Sequence, residues 1–416
     1  MSNPAAEPFV LLDNSLDREG PCHLFERPAE IVRAESAEEA ASALTRLAEA
    51  LSQGYYAAGF FSYEFGYMLE PRLAGRLPRD RNVPLVWFGL FVRRRTLSSR
   101  EAVSWLQERS GGQRYRLERP SVALSEPEYR MRFAAAKQMI AAGDIYQINF
   151  TTKAKFRIDG EPLSLYLDLR RKQPVKYGAV IQTEDFTVLS SSPELFLSRH
   201  EKTISTRPMK GTAPRGPTPK SDQDAKQWLA SDPKSRAENL MIVDLMRNDF
   251  GRISELGSIR VTDLFTVETY PTLHQMTTGI ESSIRDDVGV EELVGSIFPP
   301  GSITGAPKIR SMELIDDLEA EPRGVYTGSI GMFAPGGETQ LNVAIRTMMV
   351  SADGHGEIGI GSGLVADSDA SAEYQECLLK MRFLTDPPES SELIDDVRNG
   401  RDARKVRGTG QWMASG

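Results

Sequence analysis

The chain has 416 residues, a net charge of −8 and the hydrophobic content of an ordinary water-soluble protein. The negative charge argues against general nucleic-acid binding, and no stretch approaches the ~20 apolar residues of a membrane span. The N-terminus lacks the basic and apolar regions of a signal peptide, and the two distant cysteines exclude a disulfide framework and a cysteine-rich zinc site. We therefore expect a cytoplasmic protein.

The first 124 residues have the pattern of a scaffold. Residues 9–12 and 85–92 are predicted strands, and residues 55–65 are predicted to form a strand or hairpin. A capping box at residues 36–39 precedes apolar residues at helical spacing, which predicts a helix there. No residue in this region carries obvious chemistry.

Residues 125–385 are predicted to form the catalytic region. A second capping box at residues 125–128 opens a helix that ends near Gly143, and residues 147–152 follow as a strand. Strands and helices then alternate, which is typical of a mixed α/β sheet domain. Residues 386–416 are polar and charged without an apolar face, so we predict a mobile tail.

Lys210 lies in a basic turn that is a candidate for amine chemistry. Gly211 permits a sharp turn because it lacks Cβ, and prolines flank the segment. Arg207 and Arg215 make the surroundings cationic, and burial beside cations lowers the pKa of a lysine and makes its amine nucleophilic. Judged locally, a solvated loop with scattered basic residues is the commoner explanation.

Three acidic side chains suggest a magnesium site. Glu238 lies near the start of a predicted helix. The predicted buried stripe of this helix consists of Leu240, Val243, Met246 and Phe250. Glu373 and Glu376 share a helix face three residues apart. Two like charges at that spacing repel, and a cation would relieve the repulsion. Magnesium prefers such hard oxygen ligands. Exposed surface acids remain the alternative for each of them.

Glu194 is a candidate general acid, because it follows a proline at the start of an apolar strand. A carboxyl group in apolar surroundings has a raised pKa and can donate a proton. The alternative is an acid at a sheet edge facing water. The glycine-rich residues 359–363 could let backbone N–H groups approach an anion, although a tight turn explains them equally well.

Taken together, these segments resemble the chorismate-utilising enzymes, which include anthranilate, isochorismate, salicylate and aminodeoxychorismate synthases. The resemblance covers about residues 125–385, with a weaker match at residues 9–15. The matching segments are residues 192–195, 208–215, 236–249, 301–313, 324–328, 344–347 and 359–380.

The resemblance implies a single α/β (α+β) domain, with two large β-layers in a sandwich and helices outside. Residues 1–124 would belong to the same sandwich. It also implies that Glu238 and Glu376 hold Mg²⁺, with Glu373 nearby, and that the metal binds the ring carboxylate of chorismate.

The resemblance assigns the remaining substrate contacts as well. Arg346 and Tyr326 are expected to take the pyruvyl carboxylate, since a planar guanidinium suits a carboxylate. His274 is expected on the ring side, with a structural histidine as the alternative. The other expected substrate-binding residues are Gly211, Thr212, Thr304, Gly361 and Gly363.

Two positions discriminate among the family's reactions. Isochorismate and salicylate synthases resemble this chain except that a lysine base replaces Gln147, and glutamine cannot deprotonate water. Anthranilate synthases carry alanine where this chain has Lys210, whereas the lysine resembles that of the aminodeoxychorismate branch. The expected function is therefore aminodeoxychorismate formation from chorismate and ammonia, for p-aminobenzoate and folate.

In the mechanism that the resemblance implies, Glu194 protonates the departing C4 hydroxyl and Lys210 adds covalently at C2. Ammonia then displaces the lysine. The chain has no glutaminase signature, so a glutamine amidotransferase partner is expected to supply ammonia. The nearest alternative is anthranilate synthase component I, and a non-catalytic chorismate-binding or tryptophan-sensing subunit is a rival from another class.

Overall fold

The computed structural model describes residues 7–270 and 273–385. The predicted tail, residues 386–416, lies outside them. The α-helices are α1 (Ala37–Ser52), α2 (Ser99–Arg109), α3 (Glu126–Ala141), α4 (Pro162–Lys172), α5 (Pro219–Ser231), α6 (Pro233–Gly251), α7 (Val290–Ile297), α8 (Lys308–Leu318) and α9 (Ala370–Thr385). Short 3₁₀ helices span Tyr63–Met68, Ala74–Arg76 and Gly301–Ile303.

The strands form two large sheets and a small one. In chain order they are β1 (Phe9–Asp13), β2 (Cys22–Glu26), β3 (Glu30–Ala34), β4 (Tyr56–Phe61), β5 (Val86–Phe91), β6 (Arg95–Leu97), β7 (Tyr115–Leu117), β8 (Ser121–Val122), β9 (Gln147–Gly160), β10 (Tyr177–Gln182), β11 (Phe186–Ser192), β12 (Leu195–His200), β13 (Thr203–Arg207), β14 (Met209–Pro214), β15 (Arg260–Val261), β16 (Thr266–Thr269), β17 (Leu273–Thr277), β18 (Ile280–Ser283), β19 (Gly305–Ala306), β20 (Ser329–Phe333), β21 (Thr339–Asn342), β22 (Thr347–Ser351) and β23 (His355–Leu364).

The first large sheet has the order β19-β9-β23-β22-β11-β10-β1-β2-β6, and β7 and β8 also pair with β9. The second has the order β15-β18-β13-β12-β21-β20-β4-β5-β3, and the small sheet has the order β14-β17-β16. The strand pairings between these elements are antiparallel. Strands from the first hundred residues therefore occur in both large sheets.

Apolar side chains of both large sheets meet between the layers, among them Val10 and Ile181 from the first sheet and Phe60 and Trp87 from the second. Helices α2 and α4 cover the outer face of the first sheet. The predicted sandwich of two large β-layers with helices outside is confirmed. Within residues 7–270 and 273–385, no helix is both long enough and apolar enough to span a membrane.

Helix α6 carries one of the predicted metal ligands and differs from the prediction on one face. Asp232 caps it by accepting a hydrogen bond from the Ser235 backbone N–H at 2.8 Å. The predicted apolar stripe is correct for Val243, Met246 and Phe250, which are buried, but wrong for Leu240, which is 46% exposed. Asn239 and Ile242 are fully buried instead, because the helix turns the Leu240 side chain away from the sheet.

Candidate active site

Lys210 lies on a bulged strand that is pressed against the start of α6. The pairing of β14 with β17 shifts register between Met209 and Thr212, which places the bulge at the lysine. Gly211 has a φ of +82°, and a Cβ there would come within 2.7 Å of the Ser235 side chain. Only glycine fits this close approach, so the backbone fixes where the Lys210 side chain begins.

The Lys210 amine is partly buried and has both acidic and basic side chains around it. Burial lowers its pKa, and the neighbouring Lys380 lowers it further, whereas Glu238, Glu194 and Glu376 act in the opposite direction. Because the net pKa shift is downward, the neutral and nucleophilic form of the amine is easier to reach than in an exposed lysine.

The expectation that Arg207 or Arg215 lowers the pKa of Lys210 is wrong. Arg207 is ion-paired with Glu268 and Asp263 at 2.5 and 2.9 Å. Arg215 is ion-paired with an aspartate of α5 at 2.7 Å. Each guanidinium is neutralised by acids of its own surroundings, and the cation that acts on the lysine comes from α9.

Alternate glycines of β23 form a flat floor beside the lysine. Gly359, Gly361 and Gly363 share one face of the strand because side-chain directions alternate. A Cβ on Gly359 would overlap the Tyr326 ring, with its nearest atom at 1.9 Å. A Cβ on Gly363 would lie 3.3 Å from the Lys210 Nζ. The glycine floor therefore runs from Tyr326 to Lys210, about 13 Å at ~3.3 Å per residue.

Gln147 faces the same end of the floor. Its Nε2 would be 3.3 Å from a Cβ on Gly363, the same distance as the Lys210 Nζ. The side chain is fully buried, and neither its Nε2 nor its Oε1 has a hydrogen-bond partner among the described residues. Buried amides are rarely left unpaired, so this one is expected to meet a polar ligand.

Glu194 is a buried carboxyl group beside the lysine. It is 3% exposed, and its Oε1 accepts a hydrogen bond of 2.6 Å from the Ser302 hydroxyl. Burial raises its pKa to about 7, against the opposing effects of Ser302, Lys210 and Arg346. A carboxyl group with this pKa is protonated often enough near neutral pH to act as a general acid.

Arg346 is a cation without an acidic partner in the described part of the chain. The only hydrogen bond of its guanidinium to those residues is a long one, 3.4 Å from Nη1 to the Gln173 Oε1. Its φ of +50° is in the left-handed region, where a non-glycine residue is strained. A partly buried guanidinium held in this way is suited to bind an anionic ligand.

Two of the predicted metal ligands, Glu238 and Glu376, act electrostatically on Lys210, and Glu373 acts on Glu238, but the three are not assembled as a metal site. Glu376 is paired with Lys380 at 2.7 Å, and Glu373 accepts a hydrogen bond of 2.7 Å from Ser368. Burial raises the pKa of Glu238, and Glu373 and Glu376 raise it further. Among the described residues, no three acids, histidines or cysteines converge as a metal site. The carboxylate oxygens of these three glutamates nevertheless fit a hard cation, which would relieve the repulsion between their negative charges.

The remaining predicted contacts, Thr304, Thr212 and Gly211, have hydrogen-bond partners within the protein. Thr304 is fully buried, and its hydroxyl donates to the Pro300 carbonyl at 2.8 Å. Thr212 is exposed and donates to the Gln275 amide oxygen at 3.3 Å, while Gly211 accepts from the same amide at 3.0 Å. Their substrate contacts stay predictions.

His274 is occupied by protein partners on both ring nitrogens. Its Nε2 lies 2.9 Å from Asp222 and its Nδ1 lies 3.0 Å from the Thr269 hydroxyl. The residue pairs with Ala213, on the face of the small sheet that α5 covers. This environment favours the structural alternative for the histidine, and its catalytic assignment stays a prediction.

Two polar residues of the site were not predicted. Ser302 contacts Glu194 across 108 positions of sequence, so no local signal could reveal the pair. The ion pair of Lys380 with Glu376 could have been predicted, because the two lie four residues apart on one helix, a spacing at which opposite charges meet, but this spacing does not indicate that Lys380 faces Lys210. Its Nζ also donates to the Gly361 carbonyl at 2.8 Å, which joins α9 to the glycine floor.

Replacing Ser302 with alanine should move the pH dependence of the reaction. Loss of the hydroxyl donor removes an interaction that favours the Glu194 carboxylate, so its pKa rises above about 7. A hydrogen bond to a charged group contributes ~1.5–3 kcal/mol, which corresponds to roughly one to two pH units. The alkaline limb of kcat/KM should shift upward by that amount. Ser254→Ala, which removes another buried hydroxyl, should leave the limb in place.

The sequence comparisons identify the family. Residues 9–386 match the family described as chorismate binding enzyme. The chain is 35% identical over 350 residues to aminodeoxychorismate synthase component 1 of Klebsiella aerogenes, covering 80% of this chain and 77% of that protein. It is 44% identical over 268 residues to aminodeoxychorismate synthase of Streptomyces griseus, covering 64% of this chain but 36% of that longer protein.

A solved structure shares the fold. Anthranilate synthase component I from Streptococcus pneumoniae superposes with a TM-score of 0.74 at 23% identity, covering 92% of this chain and 93% of that one. This likeness concerns the architecture, and the match over residues 9–386 extends through both large sheets and the site described above. The chain belongs to the chorismate binding enzyme family.

Proposed function

We propose that this chain converts chorismate and ammonia to 4-amino-4-deoxychorismate, for the synthesis of p-aminobenzoate and folate. The observation that carries the proposal is the position of the Lys210 amine, at one end of the glycine floor and electrostatically coupled to the buried acid Glu194. The names of the relatives, aminodeoxychorismate synthase and its component 1, support the same reaction.

The two carboxylates of chorismate would be held at different places in the site. Arg346 offers a guanidinium without an acidic partner among the described residues, so it suits the pyruvyl carboxylate. Tyr326 contacts Gly359, at the end of the glycine floor opposite to Lys210, and its contribution to the same carboxylate site is part of the proposal. Two fixed anchors orient the ring and account for much of the entropic part of catalysis.

Glu238 and Glu376 would hold Mg²⁺, with Glu373 nearby. When bound, the cation would supply positive charge for the ring carboxylate of chorismate. Lys380 would have to release Glu376 from its ion pair for that ligand to become available. The same lysine would then remain beside Lys210 and continue to disfavour its protonation.

The chemistry uses Lys210 and Glu194 in opposite roles. The neutral Lys210 amine forms a bond to C2, the ring double bonds shift, and the C4–oxygen bond breaks. Glu194 gives its proton to the departing oxygen, which leaves as water. Ammonia then bonds to C4, the double bonds shift back, and the C2–nitrogen bond breaks to release the lysine.

The proposal includes a partner that supplies ammonia. The Klebsiella relative is named as component 1, and this supports an assembly with a second component. We propose a glutamine amidotransferase for that component. Both cysteines of this chain are buried, and burial raises the pKa of Cys22 to about 12 and of Cys377 to about 11. Neither is poised as a thiolate nucleophile for glutamine hydrolysis.

Gln147 supports amination over hydration. Its amide can hydrogen-bond a neutral nucleophile but cannot take a proton from water at neutral pH. Ammonia is already nucleophilic and needs no such base. Anthranilate formation, the alternative, would require loss of pyruvate after the amination, and the fold it shares with this chain does not separate the two outcomes.

Product identity tests the proposal. The purified chain is incubated with chorismate, Mg²⁺ and ammonium, and the products are separated and identified by mass. We expect 4-amino-4-deoxychorismate to accumulate without release of pyruvate. Anthranilate and pyruvate as main products would establish the alternative function, and the absence of any turnover would support a non-catalytic binding subunit.

Metal removal gives a separate prediction. Chelation by EDTA should abolish turnover and added Mg²⁺ should restore it. Glu376→Gln should raise the Mg²⁺ concentration for half-maximal rate by roughly 10–100-fold, the range found when groups around metals are altered. Glu108→Gln, on the exposed face of α2, should leave that concentration unchanged. Full activity in EDTA would refute the metal assignment.

A further inference from the structure

We infer that Arg323 is a positioning residue that fixes three walls of the active site through one buried guanidinium. Arg323 precedes the loop that carries Tyr326, and it is 3% exposed. It does not contact the glycine floor or Lys210 in any hydrogen bond. The inference rests on the proposed function, because it assigns Arg323 a role in shaping the site for that reaction.

Every nitrogen of the guanidinium is engaged inside the protein. The Nε and Nη2 form a two-point ion pair with Glu319, at 2.8 and 2.7 Å. The Nη2 also donates to the Asn149 carbonyl at 2.6 Å, and the Nη1 donates to the Ile303 carbonyl at 3.0 Å and to the Thr327 hydroxyl at 3.4 Å. Arg323 therefore has no donor left for a substrate, in contrast to Arg346.

Each of these acceptors adjoins a different wall of the site. Asn149 is on β9, two residues after Gln147 and on the same side of the strand. Ile303 ends the short 3₁₀ helix Gly301–Ile303, between Ser302, which contacts Glu194, and Thr304. Thr327 follows Tyr326 directly and has a φ of +61°, a strained conformation that needs support from its surroundings. A single side chain thus links β9, the 3₁₀ helix Gly301–Ile303 and the loop that carries Tyr326.

Further contacts hold the Arg323 guanidinium and its partner Glu319 in place. The guanidinium lies over the Tyr63 ring, 4.4 Å from its centre, and the Glu319 carboxylate also accepts from the Thr151 N–H at 2.8 Å. The backbone N–H groups of Arg323 and Gly324 donate to Glu64 at 2.6 and 3.0 Å. Lysine cannot replace this arrangement, because its point charge lacks the planar fork that reaches Glu319 and two carbonyls together.

A small cavity beside the Arg323 guanidinium makes a direct test possible. It has a volume of about 70 Å³ and is lined by Arg323, Glu319, Thr151 and Tyr326 among others. Arg323→Ala would enlarge it next to the unpaired Glu319 carboxylate, so free guanidinium could take the vacated position. We expect Arg323→Ala to lower kcat by roughly 10²-fold, the effect of an ångström-scale misplacement. Millimolar guanidinium should restore at least a tenth of the lost rate.

Two further variants keep the test decisive. Arg323→Lys retains a buried positive charge beside Glu319 and is expected to fold, yet kcat should fall at least tenfold while the KM for ammonia stays within twofold. Arg170→Ala removes another buried arginine, which is paired with Asp13 at 2.8 Å away from the site. It should lower the melting temperature, keep the activity of the folded fraction and show no response to guanidinium.

The outcomes separate this inference from the proposed function. If the unmodified chain does not aminate chorismate, the proposed function fails. If the unmodified chain is active and Arg323→Lys matches its kcat, the positioning role is wrong. A folded Arg323→Ala that guanidinium does not reactivate would overturn it as well. Reactivation of Arg323→Ala together with a lowered kcat in Arg323→Lys would support it.

Discussion

Replacing Lys210 with methionine is expected to lower kcat by roughly 10³-fold or more, a loss between that of a general acid and that of a protease nucleophile. Methionine keeps most of the side-chain volume but removes the amine, so the covalent step at C2 cannot occur. The measurement is the rate of 4-amino-4-deoxychorismate formation with saturating chorismate, Mg²⁺ and ammonium. Intact-mass analysis of the quenched enzyme should show a chorismate-derived adduct only when the lysine is present.

Two controls separate the nucleophile from a simple positive charge. Lys210→Arg keeps a cation beside Glu238 and Glu194 but cannot add to the ring, so it should be as slow as the methionine variant. Lys202→Met removes a lysine that is 60% exposed and paired with Asp286 on the surface, and it should have normal kinetics. Activity in Lys210→Arg close to that of the unmodified chain would show that the lysine acts through its charge alone.

The secondary structure near the site was predicted best where a local pattern decides it. The capping box at residues 125–128 and the following apolar face predicted a helix that the structure places at Glu126–Ala141. The strand predicted at residues 147–152 is longer, Gln147–Gly160. The additional residues pair with β23, where Arg157 lies opposite His355. A short window of sequence cannot indicate a partner about two hundred residues away.

The sequence predicted which residues belong to the site more completely than it predicted how they act on one another. The motifs indicated Lys210, Glu194, Glu238 and Arg346, and the structure brings both glutamates within electrostatic reach of Lys210. The cation that lowers the pKa of Lys210 could not be chosen from sequence, because adjacent arginines are closer along the chain than Lys380. Which charges face one another depends on how α9 packs against β23, and that is a tertiary property.

The polar groups of Gln147 and Arg346 that lack partners indicate where a substrate binds, which no sequence motif shows. Gln147 was noted in the sequence only as the absence of a lysine base, whereas the structure shows a buried amide whose two polar atoms lack partners among the described residues. Arg346 likewise combines a strained backbone with a guanidinium that forms no ion pair with an acid among those residues. Native proteins rarely leave such groups unsatisfied, so their shared presence marks the side from which a polar substrate is expected to bind.

Glu194→Gln is expected to lower kcat by roughly 10²–10⁴-fold, the contribution of a positioned general acid. Glutamine keeps the shape and can still accept the Ser302 hydrogen bond, but it has no proton to give to the departing C4 oxygen. In the unmodified chain, kcat/KM should fall as pH rises through about 7, because burial raises the pKa of Glu194 to about 7 and the deprotonated form is inactive. The glutamine variant should lose this alkaline limb.

At alkaline pH, Glu194→Gln should keep or increase the free energy of unfolding although it lowers kcat. The folded-state pKa is raised from 4.5 to about 7, so the folded protein binds this proton more tightly than the unfolded chain does. That contribution is complete below pH 4.5 and is lost as pH rises through about 7, a difference of roughly 3 kcal/mol for a shift of this size. Urea unfolding at pH 8.5 should therefore show the glutamine variant to be at least as stable as the unmodified chain. A large loss of stability at that pH would mean that the carboxylate is a structural ion-pair partner and that the slow turnover reflects a damaged fold.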